Sequence, residues 1–156
     1  MDAGKLVPDS IIIEMMAGKI KNSNKTVFLD GFPRTVGQAE AMLKAGIIPD
    51  IVIEFDVDDE VVIQRAKDRL VCSNCGEPYT TNEFKRPNVE GVCDICGGKL
   101  ARRKDDEEAV VRSRLEVYRN ETYPVLQFLK KQGVDINTID GNAENAYGIF
   151  EILVLN

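Results

Sequence analysis

Three short apolar stretches of the chain are bounded by polar residues, and each ends in an aspartate. They are Thr26–Asp30, Asp50–Asp56 and Val134–Asp140. A short run of apolar and β-branched residues between turn signals is typical of a strand buried in a sheet. We therefore expect three buried strands, each followed by a turn at its closing aspartate.

Helical periods fill the segments around these strands. Residues 9–22 carry apolar side chains three and four positions apart, which indicates a helix with one buried face. Thr35 followed by Gln38 is a capping-box pattern that begins a second helix, and Gly46 can end it. A third helix is expected to be capped by Asp58 and to run to about Leu70.

The second half of the chain continues the alternation after an interruption. The stretch from Val71 to about Arg102 is rich in Cys, Gly, Pro and Asn, and it predicts a small insert of short strands and turns. A long helix is expected from near Asp105, with a kink or restart at Pro124, and a last helix over residues 142–153. Short buried strands that alternate with helices indicate the α/β class, with a parallel sheet flanked by helices.

All four cysteines lie in the insert, in two C-x-x-C-G motifs. Cys72 and Cys75 form the first pair, Cys93 and Cys96 form the second, and 17 residues separate the pairs. A two-residue spacer aims both thiolates at one tetrahedral metal, and a separation of about 15–20 residues between pairs is typical of zinc sites. Four sulfur ligands leave no open position, so we expect a structural zinc. Two disulfides, or four unrelated buried thiols, are the alternatives.

Composition narrows the class of protein. The chain has 156 residues, 44% of them hydrophobic and 29% charged, with a net charge of −6, which fits a cytoplasmic domain with a small insert. The acidic balance argues against a zinc ribbon that binds nucleic acid, and no apolar run is long enough to span a membrane. The chain shows no signal peptide, which favours zinc over disulfides. Because histidine is absent, any chemistry must proceed without an imidazole.

One candidate phosphate site follows the first predicted strand. Residues 30–35 read D-G-F-P-R-T, in which a glycine permits a turn and Arg34 is presented at a helix start. Open α/β sheets bind ligands at the carboxyl ends of their strands, and an arginine there can hold a phosphate with two hydrogen bonds. Gln38 lies one turn further on and could contact a base edge. An ordinary turn with a solvated arginine is the alternative interpretation.

A second candidate is a set of arginines that flanks the insert. Arg65 and Arg69 are four positions apart on the helix that leads into it. Arg103 and Arg114 follow it, on nearly one helical face if the helix reaches back that far. Such a set can surround a polyphosphate, but surface arginines paired with the acidic residues 105–108 are an equal alternative.

The tripeptide at residues 3–5, A-G-K, is similar to the end of a phosphate-binding loop. That loop requires G-x-x-x-x-G-K-[ST] after a strand, whereas Lys5 is followed by Leu6. The 156 residues therefore contain no complete loop of this kind.

Together these motifs resemble those of the adenylate kinase family, in particular the bacterial long form with a zinc-bearing lid. The resemblance covers essentially the whole chain and rests on residues 2–9, on F-L-D-G-F-P-R-T at 28–35, on the cysteine pairs and on R-K-D-D-E-E at 103–108. It implies a parallel sheet like that of P-loop nucleotide hydrolases. Residues 1–70 would form core strands and part of the AMP-binding region, 71–102 the lid, and 103–156 core helices and the last strand. It also implies a monomer that uses magnesium to transfer a phosphoryl group between ATP and AMP, giving two ADP.

The resemblance also implies roles for individual residues. Those expected at the AMP site are Lys5, Leu6, Val7, Gly31, Phe32, Pro33, Arg34, Gln38, Arg103 and Arg114. Those expected to contact ATP are Arg69, Pro78, Tyr79 and the backbone of Ala143. Those expected to act on the transferred phosphoryl group are Arg34, Arg65, Arg69, Arg103 and Arg114, with Asp30 holding magnesium through water. Asp105 and Asp106 resemble carboxylates at the hinge of the lid.

The family pattern begins with a strand and a phosphate loop that should precede Met1. Without that strand, we expect a gap in the sheet between residues 26–30 and 50–56, so that these two strands either pair differently or leave their edges unpaired. Without the loop, we expect the isolated chain to bind ATP poorly and to have negligible kinase activity. A non-catalytic fragment that binds nucleotide or zinc is the alternative.

Overall fold

The computed structural model describes residues 9–143 and 148–150. The helices and strands are α1 (Asp9–Lys21), α2 (Val36–Lys44), β1 (Val52–Asp56), α3 (Asp59–Asp68), β2 (Arg69–Cys72), β3 (Pro78–Thr80), β4 (Leu100–Ala101), α4 (Glu108–Val117), α5 (Tyr123–Lys131) and β5 (Ile136–Asp140). The chain divides into a first unit, Met1–Phe55 with Val117–Ile139, and a second unit, Asp56–Glu116 with Asp140–Asn156. In the described ranges, no helix combines the length and apolar character that crossing a membrane requires.

β1 and β5 form a two-stranded parallel sheet. The Val52 amide donates to the Asp135 carbonyl at 2.9 Å, and the Gly141 amide donates to the Asp56 carbonyl at 2.7 Å. Both strands therefore run in the same direction, since the early residues of one meet the early residues of the other. The predicted α/β class, with a parallel sheet and helices, is confirmed.

The first unit is built around an apolar core to which α2 and α5 contribute most. Its buried side chains are Ala39, Met42, Ile47, Val125, Leu129 and Val134. Met16 and Ile20 of α1 pack against them, as the helical period of residues 9–22 predicts. Burying a side chain of Val or Leu size is worth about 1.5–3 kcal/mol, so apolar burial is the main force in this unit.

The start of α2 follows its capping pattern in part. The Thr35 hydroxyl accepts a hydrogen bond from the Gln38 amide at 3.2 Å, as an N-cap residue should. The Gln38 side chain also contributes, since its Oε1 accepts a hydrogen bond from the Arg34 amide at 2.8 Å. Gly46 follows the helix with φ of +77°, and its amide donates to the Leu43 carbonyl, so its predicted place at the helix end is confirmed.

The second unit contains a three-stranded antiparallel sheet in the order β3-β2-β4. Leu70 pairs with Tyr79, and Cys72 pairs with Leu100. The predicted insert of short strands and turns is confirmed, but it begins earlier, because α3 ends at Asp68 and β2 starts at Arg69. In the same unit, Ile63 and Ala66 of α3 and Val111 of α4 form a separate small cluster.

The expected buried strand at residues 26–30 is wrong. In the described chain, these residues lie in no strand, and Val27 and Phe28 are 43% and 61% exposed. Strand preference of an apolar run depends on packing and on a neighbouring ladder rather than on the backbone alone. Here no described strand supplies that ladder.

The long helix is interrupted just before Pro124, as expected. α4 ends at Val117, a π-helical turn covers Tyr118–Thr122, and α5 begins at Tyr123 with Pro124 in its first turn, where no amide donor is needed. The helix begins at Glu108 rather than near Asp105, because Lys104–Asp106 form a 3₁₀ turn. The last predicted helix falls largely outside the described residues, although 148–150 are helical.

Candidate functional site

The four cysteines lie together in the second unit. Their sulfur atoms are all within 4.8 Å of one another. The Sγ atoms of Cys72 and Cys96 are 3.5 Å apart, and those of Cys75 and Cys93 are 3.6 Å apart. Sulfurs in a tetrahedral zinc site, at about 2.3 Å from the metal, would be spaced by about 3.8 Å, whereas a disulfide bond measures about 2.0 Å. The arrangement therefore fits a metal ion, and the disulfide alternative is wrong because the four cysteines are free.

Both cysteine loops use the same backbone turn. Gly76 and Gly97 have φ of +78° and +70°, a region that favours glycine. The Gly76 amide donates to the Cys72 carbonyl at 3.0 Å, and the Gly97 amide donates to the Cys93 carbonyl at 2.8 Å. The glycine that ends each C-x-x-C-G motif is thus explained by the turn.

A further glycine, Gly98, makes room for the sulfurs. A Cβ atom at this position would lie 2.9 Å from the Cys72 sulfur and 3.2 Å from the Cys96 sulfur. These distances are shorter than ordinary van der Waals contact, so a side chain here would displace the cluster. The G-G doublet at 97–98 is the sequence signal for this role, because only one of its glycines is needed for the turn.

Two polar side chains face the sulfur atoms. The Tyr79 hydroxyl lies 3.5 Å from the Cys93 sulfur and accepts a hydrogen bond from the Asp94 amide at 2.8 Å. The Asn74 side-chain amide donates to the Cys96 sulfur at 3.5 Å. No spacing rule predicts either contact, since both depend on how the two loops meet.

The electrostatics of the cluster favour a bound cation. The hydrogen bond from Tyr79 lowers the pKa of Cys93 to about 6, and the one from Asn74 lowers the pKa of Cys96. A backbone hydrogen bond lowers the pKa of Cys75, but hydrogen bonding with Cys96, burial and the other two sulfurs raise it to about 12. Thiols and thiolates this close oppose one another's ionisation, and a divalent ion relieves that opposition. The donor set therefore fits a metal that binds thiolates.

In the first unit, Arg34 is held at the turn into α2. Its Nε donates to the Gly31 carbonyl at 2.7 Å, and the Thr122 hydroxyl donates to the Arg34 carbonyl at 3.0 Å. Gly31 has φ of +72°, and a Cβ there would meet the Arg34 guanidinium at 2.7 Å. The Phe32–Pro33 peptide bond is cis. The D-G-F-P-R-T segment therefore fixes an exposed arginine in a defined position.

In the second unit, two neighbouring aspartates hold three of the predicted arginines. Asp106, 5% exposed, accepts two hydrogen bonds from Arg69, one of them 3.0 Å from Nε. Asp105 accepts two from Arg103, at 2.9 Å and 2.5 Å, and lies 3.7 Å from Arg114 Nη1. These contacts lower the pKa of Asp105, with Arg103 the main cause. Of the two interpretations of these arginines, the one in which they pair with acidic residues 105–108 is thus present at Asp105 and Asp106.

The expected helical alignment of these arginines is wrong. Arg69 lies in β2, outside the helix that carries Arg65, because α3 ends one residue earlier. Arg103 precedes the 3₁₀ turn and does not share a helix with Arg114. Arg65 instead donates from Nη2 to the Gly141 carbonyl at 2.9 Å. The shared carboxylate of Asp105, rather than a helical face, brings two of them together.

The remaining predicted residues are placed as follows. Lys5, Leu6 and Val7 lie outside the described residues. Asp30 and Pro78 are exposed, whereas Tyr79 is only 3% exposed. Ala143 is half-buried, and its amide donates to the Asp140 carbonyl at 3.2 Å. Their nucleotide contacts stay predictions.

The fold and site define an α/β protein with a cluster of four cysteines that could hold a metal ion and with arginines positioned by aspartates. The adenylate kinase family model matches residues 1–134. An adenylate kinase of Caldicellulosiruptor saccharolyticus is 40% identical over 98% of this chain and 73% of its own length. Adenylate kinases of Caldicellulosiruptor bescii and Methanosarcina barkeri are 44% and 41% identical, over 86% and 92% of this chain and 65% and 68% of their own lengths. The chain belongs to the adenylate kinase family, as its motifs predicted.

Proposed function

We propose that this chain carries residues of an adenylate kinase, a nucleoside-monophosphate kinase that transfers a phosphoryl group between ATP and AMP to give two ADP. Membership of the family is the observation that carries the proposal. Phosphoryl transfer needs alignment and charge neutralisation more than covalent help, so a chain without histidine is suited to it. We propose that its partners are small nucleotides, that it is cytoplasmic, and that full-length members of the family are monomers.

On the AMP side, Arg34 is the proposed phosphate ligand. Its position at a helix start and its contact with Gly31 support this role, because a guanidinium held in advance loses little freedom when phosphate binds. Gln38 is proposed to read the adenine, and Gly31–Pro33 to line the site. Lys5, Leu6 and Val7 are proposed AMP contacts on the basis of the family resemblance alone.

On the lid side, the arginines of the second unit are proposed to neutralise the phosphates of ATP and AMP. Asp106 contacts Arg69 through Nε and Nη2, which orients Nη1 of this guanidinium for another acceptor. Asp105 likewise orients Arg103 and Arg114. Arg65 is proposed to act with them. Held charges of this kind stabilise the charge of a phosphoryl group without reorganising during the reaction.

The remaining nucleotide contacts are proposed from the family resemblance. Pro78, Tyr79 and the backbone of Ala143 would border ATP. Asp30, which is exposed at the end of residues 26–30, would hold magnesium through water. Magnesium, when bound with the nucleotide, supplies neutralisation of phosphate charge.

We propose that the metal of the cysteine cluster is zinc, held by Cys72, Cys75, Cys93 and Cys96. The set of four sulfurs and their spacing support zinc, whose structural sites are closed and tetrahedral. Zinc would cross-link the two cysteine loops and take no part in phosphoryl transfer. Elemental analysis of the purified chain should give one zinc per chain, and Cys96→Ala should remove it; zinc retained by that variant would contradict the proposed ligand set.

AMP titration by calorimetry tests the AMP side. Arg34→Ala should weaken AMP binding by about tenfold or more, since it removes a charge-assisted pair with phosphate. Lys44→Ala is the matched control: it removes a charge from the same unit at a side chain that is 81% exposed. Equal losses in both variants, or no loss in Arg34→Ala, would contradict the assignment.

A coupled ADP-formation assay tests the activity of these 156 residues. They hold no complete phosphate loop, so we expect weak ATP binding and negligible turnover from this chain by itself. Arg103→Ala should lower any measurable rate further, whereas Arg86→Ala, an exposed arginine elsewhere in the second unit, should not. Turnover within about tenfold of a full-length relative would overturn the expectation of low activity; tenfold corresponds to a difference of about 1.4 kcal/mol in the activation barrier.

A further inference from the structure

Tyr79 is buried beside the cysteine cluster. It lies on β3, is 3% exposed, and packs with Cys72, Cys93 and Leu100 in the small core of this sheet. Lys85 Nζ lies 5.7 Å from the centre of its ring and is also paired with Glu77 at 2.5 Å. The ring is thus covered on several sides.

The hydrogen-bond partners of the phenol leave its own proton free to point at a neighbouring acceptor. The Tyr79 oxygen accepts the Asp94 amide proton at 2.8 Å, so its own proton is available for another acceptor. The Cys93 sulfur lies 3.5 Å from the same oxygen, within range for a hydrogen bond to sulfur. The phenol therefore bridges β3 and the loop of the second cysteine pair.

We infer that Tyr79 is a positioning residue of the metal site: its hydroxyl donates a hydrogen bond to the Cys93 thiolate and ties the second cysteine loop to β3. The inference rests on the proposed metal binding by the four cysteines. A donated hydrogen bond withdraws charge from a coordinating sulfur and fixes the direction in which it faces the metal.

Asn74 offers a comparison within the same cluster. Its side chain donates to the Cys96 sulfur at 3.5 Å, the same distance as the Tyr79 contact, but it is exposed. Water can replace an exposed donor, whereas nothing readily replaces a buried one. Tyr79 should therefore matter more for metal binding than Asn74.

The test compares Tyr79→Phe with the unchanged chain. The change keeps the ring and removes only the hydroxyl. Competition with a coloured zinc chelator should show zinc affinity lower by about 10- to 100-fold, the usual effect of losing a partner of a metal ligand. With cobalt in place of zinc, the sulfur-to-cobalt charge-transfer band should move to lower energy, because a thiolate without a hydrogen bond is a better electron donor. Tyr123→Phe, at a tyrosine that is 46% exposed in the first unit, should change neither quantity.

The outcomes separate this inference from the zinc proposal. If the unchanged chain binds no zinc, the zinc proposal itself fails. If it binds zinc and Tyr79→Phe has the same affinity and the same cobalt band, only the role of Tyr79 fails. Lower affinity without a band shift would mean a purely structural effect and would also overturn the inference. Asn74→Ala should weaken zinc binding less than Tyr79→Phe, and a larger loss there would contradict the ranking of the two donors.

Discussion

The core of the first unit consists of six buried apolar side chains with further apolar residues packed on them, whereas the core of the three-stranded sheet consists of Cys72, Tyr79, Cys93 and Leu100. Two of those four residues are proposed metal ligands, and a third contacts one of them. A segment this small buries too little apolar surface to hold a shape by itself. The comparison teaches that apolar burial can hold one region, whereas the other depends on the metal proposed for its four cysteines.

The stabilisation expected from zinc in the cysteine region is similar in size to that expected from apolar burial in the first unit, but it comes from one ion rather than from many side chains. Structural zinc contributes about 10–16 kcal/mol in small zinc-binding peptides near neutral pH. Each buried side chain of Leu or Met size contributes about 1.5–3 kcal/mol. A single substitution should therefore weaken the first unit in part, whereas losing the metal should remove the structure of the cysteine sheet entirely.

Leu129→Ala should give the largest loss of stability among single core changes in the first unit. Leu129 is 2% exposed, and truncating such a leucine costs about 2–5 kcal/mol. Urea unfolding should show this loss, while zinc affinity should stay unchanged. Ile48→Ala, at a side chain that is 68% exposed in the same unit, should cost far less. A fall in zinc affinity in Leu129→Ala would mean that the two regions are not independent.

Gly98→Ala should damage the cysteine region instead. The added Cβ would lie 2.9 Å from the Cys72 sulfur, so zinc affinity should fall by about tenfold or more, about 1.4 kcal/mol. Gly18→Ala in α1 is the matched control, because a Cβ there meets nothing within 4 Å. It should leave zinc binding unchanged and stabilise the helix by about 0.5–1 kcal/mol. Equal zinc affinity in both variants would contradict the packing argument.

Thr35→Ala should have a smaller effect, confined to the start of α2. Its hydroxyl accepts from the Gln38 amide, and losing such a cap costs about 1 kcal/mol. Asp58→Ala provides a contrast, since Asp58 precedes α3 without a side-chain capping bond. Thermal unfolding should therefore show a larger change for Thr35→Ala, and the reverse order would contradict the capping geometry.

Arg103→Gln should raise the pKa of Asp105 towards its ordinary value of 3.8, the smallest effect considered. Folding lowers the pKa of Asp105, so the pair stabilises the folded chain at any pH above the pKa that Asp105 has in the unfolded chain. This stabilisation is lost as the pH falls through the lower pKa of the folded chain. Carboxyl NMR titration measures the shift directly. Arg102→Gln is the neighbouring control, and an unchanged Asp105 pKa in Arg103→Gln would show that the pair does not form.

Local sequence rules predicted the cysteine region well. Two C-x-x-C-G motifs determined the turns at Gly76 and Gly97, because a tight turn and a φ above zero depend on a few adjacent residues. The strand expected at residues 26–30 was wrong for the opposite reason. Strand formation there depends on a partner that the apolar pattern of one segment does not reveal.

The arginines illustrate the same limit at the candidate site. Their residue type predicted phosphate binding, and their spacing predicted that they share helical faces. The second prediction failed for Arg65 and Arg69 because α3 ends at Asp68, before Arg69. The pairing of arginines with Asp105 and Asp106 depends on tertiary contacts instead. Arg69, for example, contacts Asp106, which lies 37 positions further along the chain. The contact of Tyr79 with Cys93 is likewise tertiary, and no local pattern announces it.

Hydrogen exchange measured with and without a strong zinc chelator tests the central claim most directly, because it reports on both regions in one experiment. Amides of β2, β3 and β4 should lose their protection when the metal is removed. Amides of α2 and α5, around Met42 and Leu129, should keep theirs. Unchanged protection in the three strands, or an equal loss in both regions, would contradict the account that a metal holds one region and apolar packing the other.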